Sequence, residues 1–193
     1  MKKLIGISGY ARSGKDTFYQ RSAEILSKNE KQSVRLAFAD ALKQELDDLL
    51  VTHLGISAFT EEDKEKELIR PLLVTYGTEL RRKLNPNCWI ESIQDDVIGY
   101  LDDGNYVFIT DVRFENEAQW IRMNGGTLIN VTREGIGPAN HEEHRQFHRM
   151  RKYFNYNIHW PTYGSDSLES CDEHIVPALA HFIQREPKFE QVM

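Results

Sequence analysis

Cysteine is nearly missing: Cys88 and Cys171 are the only two in 193 residues, far apart and in no CxxC pair. That excludes a disulfide framework and a cysteine-built metal knuckle, and both thiols are expected to be reduced. Long apolar runs are missing too. None approaches the roughly 18 consecutive residues of a membrane span, and the opening MKKLIGISGYARSGKD breaks into glycine and charge too early for a secretory leader. A cytoplasmic location is the expectation. Basic excess is also absent, since 24 Lys and Arg face 30 Asp and Glu for a formal charge of -6. No global positive field recruits nucleic acid, so any phosphate must be bound by a local cluster. Proline and glycine are sparse, at 6 and 12, which argues against collagen-like or low-complexity chains. With 40% hydrophobic residues and a length below the about 250–300 residues at which cores divide, one folded core is expected.

What is present alternates. Lys3 to Ser8 is a short apolar run, and after a glycine-bounded turn Tyr19, Ala23 and Leu26 recur at the spacing of one helix face. Val34 to Phe38 reads as a second strand. Leu42, Leu46, Leu49, Leu50 and His53 mark the next helix face, with Asp40 as a candidate N-cap. Thr60 and Asp63, near capping-box spacing, open a charged helix toward Lys83 that Pro71 should kink or restart. Ile90, Ile93, Val97 and Leu101 mark another helix. Tyr106 to Thr110 is rich in β-formers with little polar alternation, as in a central strand covered on both faces. A helix around Glu117 to Met123, a strand from Leu128 to Val131 and a polar stretch from Arg133 to Lys152 follow. A short strand from Phe154 to Trp160 and a helix through Ile175, Leu179, Phe182 and Ile183 end the pattern. This repetition predicts an α/β fold, an open parallel sheet flanked by helices.

Gly9-Tyr10-Ala11-Arg12-Ser13-Gly14-Lys15 fits GxxxxGK between the first strand and the first helix, the context of a phosphate-binding loop. Backbone N–H groups at a helix N-terminus can curl around a phosphate while the Lys15 ammonium neutralises its oxygens. Asp16 stands where a Ser or Thr hydroxyl normally reaches Mg²⁺, and Thr17 follows it. A carboxylate there can hold Mg²⁺ directly or through water, or simply sit at a helix N-terminus where the dipole favours it. Asp111, at the end of the apolar run, occupies the strand edge from which a carboxylate faces a ligand in an open α/β sheet and orients metal-bound water.

Four segments together resemble the phage-type deoxynucleoside monophosphate kinases: residues 9–17, Phe38 to Lys43, Tyr76 to Arg82 with Asn85 to Trp89, and Ile109 to Glu117. They span residues 1 to about 133 in the same order. Animal-type phosphomevalonate kinases share the GKD loop, the YGTELRR-like helix and the DVR-like strand end, and are the second resemblance. The first implies a single P-loop kinase domain over 1–193, with an acceptor-binding insertion at about 54–88 and an arginine-bearing lid at about 133–153. It assigns the phosphate donor to Ser13, Gly14, Lys15, Asp16 and Thr17; Gly9 and Arg12 of the same loop complete the expected ATP-binding set, and Asp16 and Asp111 are the expected Mg²⁺ residues. It places the acceptor phosphate near Lys43, Arg70, Arg81 and Arg113 and the acceptor base near Tyr76, Gly77 and Trp89, with Asp40 in the same substrate set. Arg70, Val74, Gly77 and Arg81 would share one face of an unbroken helix, Gly77 leaving room for a ligand between the arginines.

His141, His144 and His148 invite a zinc reading, but Arg145 follows His144 where the zincin pattern needs Glu. A solvated lid carrying Arg145, Arg149 and Arg151 is the more economical account, because phosphoryl transfer uses cations that arrive with the substrates. Lys15, Arg113, Arg145 and Arg149 are therefore the catalytic candidates. The expected reaction turns a (deoxy)nucleoside monophosphate and MgATP into the diphosphate and ADP, in an enzyme for which a homodimer is one option. Phosphomevalonate is the alternative acceptor, and a nucleotide-binding switch without transfer is the alternative of another class. Replacing Lys15 by Ala is expected to lower turnover roughly 10²-fold or more, measured as acceptor-dependent ADP formation; transfer near the wild-type rate would remove Lys15 from the donor site.

Overall fold

The apolar run that opens the chain becomes the middle of a sheet. In the computed structural model, which describes residues 3–161 and 168–183, β1 (Leu4–Ser8) is buried along its whole length, as a strand with helices on both faces must be. The chain continues through α1 (Lys15–Lys28), β2 (Ser33–Leu36), α2 (Phe38–Leu54) and α3 (Asp63–Val74). A π-helical stretch (Thr75–Arg81) leads on to α4 (Arg82–Leu84) and α5 (Cys88–Asp102). Then come β3 (Tyr106–Val112), α6 (Glu115–Met123), β4 (Thr127–Arg133), α7 (His141–Met150), β5 (Tyr156–Trp160) and α8 (Asp172–Ile183), with 3-10 turns at Arg151–Tyr153 and Leu168–Cys171.

The five strands are parallel, in the order β2-β3-β1-β4-β5. β1 thus pairs with β3 on one side and β4 on the other, so connections leave it in both directions. A crevice opens beyond the carboxyl end of such a switch-point strand, and residues 9–14 lie there. The run Tyr106 to Thr110 is an interior strand as expected, but the middle position belongs to β1, because β2 lies outside β3.

Two compact units are present: residues 1–35 with 99–193, and residues 36–98. In the first, Ile5, Ile7, Phe108 and Ile129 of the sheet pack with Phe18 and Leu26 of α1. α8 adds Ile175, Ala178 and Leu179 to that core; the side chains of Phe182 and Ile183 lie outside the described residues. In the second unit Leu46 and Leu50 of α2 pack with Ala58 and Ile69. No helix among the described residues is long and apolar enough to cross a membrane.

Three local expectations are corrected. Phe38 starts α2 instead of ending β2, and Asp40 lies in the first turn, with Ala37 as N-cap. The carboxylate there meets the positive end of the helix dipole without capping it. Thr60 does not cap α3, which starts at Asp63; its hydroxyl accepts from the Glu62 N–H and donates to Glu65, bracing the turn before the helix. Pro71 stays inside α3, and the helix changes hydrogen-bond pattern at Thr75. Arg82 N–H reaches Gly77 O across five residues, so the assumed α-spacing of Arg70, Val74, Gly77 and Arg81 does not hold.

Phe18 is wholly buried where α1 meets the sheet. Phe18→Ala should cost about 3–5 kcal/mol, seen in urea unfolding as a lower midpoint with an unchanged slope.

Candidate functional site

The loop between β1 and α1 is shaped by two glycines. Gly9 (φ 150°) and Gly14 (φ 91°) take conformations that L side chains rarely adopt. A Cβ on Gly9 would lie 2.2 Å from Val131 O, and one on Gly14 would lie 2.6 Å from Trp160 Cζ2. Exposed Arg12 also has a positive φ, 63°. Ser13 is fully buried, its Oγ without a hydrogen-bond partner, and such a buried orphan hydroxyl calls for a ligand or water. Thr17 is half-buried on the first turn of α1.

Lys15 opens α1 and turns its ammonium back into the loop, donating to Gly9 O at 3.0 Å and Tyr10 O at 2.8 Å. Burial pushes its pKa below the usual lysine value, and the nearby Arg113 guanidinium pushes the same way. The carboxylates of Asp16, Glu143 and Asp111 oppose both. The donor residues predicted on α1 and at the end of β3 are thus brought within electrostatic reach of one another. Arg113 is fixed through its backbone: Glu117, 1% exposed, accepts from the Arg113 N–H at 2.8 Å and the Phe114 N–H at 3.0 Å. No group of three or more His, Cys, Asp or Glu side chains able to hold a metal forms among the described residues. Asp16 and Asp111 nonetheless offer hard oxygen donors beside the loop, and Mg²⁺ commonly takes one or two carboxylates and completes its shell with phosphates and water.

The polar stretch after β4 folds as α7 and sits on the loop. Asn140 Oδ1 accepts from Glu143 N–H at 2.9 Å, and Glu143 Oε2 takes the Ala139 N–H at 2.6 Å, a reciprocal cap. That leaves Phe147 facing inward, its ring 5.0 Å from Tyr10 and 5.7 Å from Phe154. Burial and Glu143 raise the Tyr10 pKa, and the Arg151 charge works against them. Arg145 pairs with Glu142 and Arg149 is exposed; of the α7-region arginines, it is Arg151 whose charge registers on the loop tyrosine. His144 and His148 stand side by side with Nε2 atoms 3.1 Å apart.

The remaining acceptor candidates belong to the 36–98 unit. Arg81 Nη2 donates to Glu45 Oε1 at 2.7 Å, and Tyr76 Oη donates to Glu45 Oε2 at 2.8 Å. The hydrogen bond to Glu45 raises the pKa of both, keeping the phenol protonated. Arg81 lies over the Trp89 ring at 5.5 Å, and its Nε is buried without a partner. Trp89 is 2% exposed and donates to Gly77 O at 3.3 Å. The space beside Gly77 is filled by Leu42, whose Cδ2 would be 2.8 Å from a Cβ there. So Tyr76 and Arg81 meet at Glu45, a residue the sequence reading missed, and Trp89 joins Arg81 to Gly77. Lys43 instead lies over the Phe59 ring at 5.3 Å, Asp40 is half-buried and Arg70 is exposed.

Trp160 was missed as well. Its indole N–H donates to Ser13 O at 2.9 Å; a tryptophan at the carboxyl end of a strand, the side on which ligands bind in open α/β sheets, was the available signal.

A parallel sheet, a glycine-bounded loop after its middle strand and a lysine on the following helix define the P-loop kinase class. The family model described as phosphomevalonate kinase matches residues 7–127. The chain is also similar to a protein of Acanthamoeba polyphaga mimivirus named "Putative deoxynucleotide monophosphate kinase", 30% identical over 175 residues that cover 80% of this chain and 86% of that one. The chain belongs to the phosphomevalonate kinase family.

A depressed lysine pKa means that Lys15 loses its charge at a lower pH than an ordinary lysine. Affinity for a nucleoside diphosphate should therefore fall as pH rises through that depressed value. Arg113→Gln, which removes a charge that lowers the pKa, should move the fall to higher pH. Calorimetric titrations at stepped alkaline pH check this; a fall at the same pH in both proteins would separate Arg113 from Lys15.

Proposed function

We propose that the protein moves the γ-phosphoryl group of MgATP onto the phosphate of a (deoxy)nucleoside monophosphate, as in the phage-type enzymes it resembles. The observation that carries this reading is the gathering of Lys15, Arg113, Asp16 and Asp111 at one edge of the sheet. Two cations there suit the charge of a transferring phosphoryl group, and two carboxylates suit Mg²⁺. The loop N–H groups and Lys15 hold the donor phosphates, and Ser13 and Thr17 offer hydroxyls to them. The acceptor oxygen is already ionised at neutral pH, so no strong general base is needed, and rate comes from alignment and charge neutralisation. The bond from the γ-phosphorus to the ADP oxygen breaks as the bond to the acceptor oxygen forms. Mg²⁺, when bound, adds further neutralisation of the phosphate oxygens.

In this reading residues 1–193 are one kinase domain, with an insertion at about 54–88 serving the acceptor and residues of about 133–153 acting as a lid. Arg81, Arg70 and Lys43 are the acceptor-phosphate candidates of the second unit and Arg113 that of the first, and Asp40 lies in the same substrate set. Base recognition falls mainly to Tyr76, whose ring is only partly buried, because Trp89 is 2% exposed beneath Arg81. Arg151 joins Arg145 and Arg149 as a source of lid charge. The enzyme acts in the cytoplasm on small nucleotides, as a monomer or homodimer, without nucleic acid or membrane partners.

A second reading, phosphomevalonate as acceptor, is favoured by the name of the family model. The name of the viral relative favours the nucleotide. Phosphomevalonate has no ring to stack and carries a carboxylate that asks for one more cation. With MgATP and a coupled assay for ADP, at least one of dTMP, dGMP, dCMP or dAMP is expected to be phosphorylated and phosphomevalonate is not. The reverse result would hand the assignment to the second reading, and tight ATP binding with no active acceptor would favour a nucleotide-dependent switch.

A further inference from the structure

The last strand of the sheet ends against the loop that follows its middle strand. Trp160, 2% exposed, donates its indole N–H to Ser13 O at 2.9 Å in a buried contact. The benzo ring of the same indole covers Gly14, where a Cβ would come within 2.6 Å of Cζ2. The indole also meets His174 of α8 edge-on, centroids 6.5 Å apart. The tryptophan thus touches both helix and loop, with its one polar atom committed to the loop.

That hydrogen bond controls more than the atom it touches. Ser13 C=O and Gly14 N–H belong to a single planar trans peptide and point in opposite directions. Pinning the carbonyl to the indole aims the Gly14 N–H away from the indole nitrogen, and Gly14 is the N-cap of α1, the end of a helix where N–H groups can receive an anion. At φ 91° Gly14 lacks any side chain to resist rotation of this peptide, and the indole bond adds a restraint from outside the loop.

We propose that Trp160 is a positioning residue for the donor site: its indole N–H presets the Ser13–Gly14 peptide so that the Gly14 N–H meets a nucleotide phosphate. This rests on the donor reading given under Proposed function and assigns a part in it to β5, beyond residues 7–127 matched by the family model.

Calorimetric titration with MgADP tests the proposal. Trp160→Phe keeps an aromatic ring over Gly14 and removes the N–H. The Kd for MgADP is expected to rise about fivefold, the worth of one ordinary hydrogen bond, while the KM for the phosphate acceptor barely moves and the melting temperature falls only modestly, as Ser13 O loses a buried partner. Wild-type affinity in a folded Trp160→Phe protein overturns the proposal. If that variant does not fold, nitrogen–proton correlation NMR of the wild type decides instead, with the Trp160 indole peak assigned by its proximity to Gly14. Slow exchange with solvent deuterium and a shift on adding MgADP are expected; fast exchange and no shift overturn it. No MgADP binding by the wild type would bring down the donor reading too, whereas intact binding that ignores Trp160→Phe removes only the positioning role.

Discussion

An ammonium group drawn out of water has to find oxygen, and Lys15 finds it in two carbonyls of its own loop. The loop meets that requirement. Gly9 and Gly14, at its two ends, take up backbone conformations that L side chains rarely adopt, and the parallel sheet supplies the strand end from which the turn is made. Bonds from an ammonium to neutral carbonyls are weaker than those to an anionic phosphate. Lys15 is thus held at the loop by contacts that a phosphate can replace with better ones.

Charge around the lysine is balanced on the same scale. Arg113 presses against it from the end of β3, while Asp16, Asp111 and Glu143 counter from three different elements. Such a cluster is sensitive to small displacements, and the structure spends buried polar groups on holding its members still. Glu117 sits almost fully out of solvent to take two consecutive backbone N–H groups at the Arg113 turn. Asn140 and Glu143 close the first turn of α7, which orients Phe147 onto Tyr10.

Much of this was legible in the sequence because it leaves local marks. A strand covered on both faces has to be apolar at successive positions, so β3 announced itself, and a loop that needs positive φ beside a lysine has to carry glycine at fixed spacing. The helix that carries Tyr76 and Arg81 was less legible because the decisive contacts join residues far apart in sequence. Gly77 is pressed against Leu42, and its carbonyl takes the Trp89 indole N–H; neither partner lies within a turn of it. Glu45 likewise acquires its meaning from Tyr76 and Arg81, more than thirty residues on. Trp160 is the extreme case, touching a loop 147 residues earlier. A single tryptophan in a short strand looks the same whether it fills a core or steadies a peptide plane.

The widened turn between Thr75 and Arg81 gives the helix that contains it a property that straight helices lack. In an α-helix each residue advances the direction of its side chain by about 100°. A turn closed over five residues absorbs an extra one, so everything beyond it carries a phase offset relative to Arg70. Loss of one residue inside the stretch would cancel the offset and rotate Arg81 away from Glu45 and Trp89, whereas loss of one residue earlier in α3 would turn Arg70 instead. In this segment a change of chain length is converted into a change of azimuth, and the two arginines can be re-aimed independently by where a residue is gained or lost.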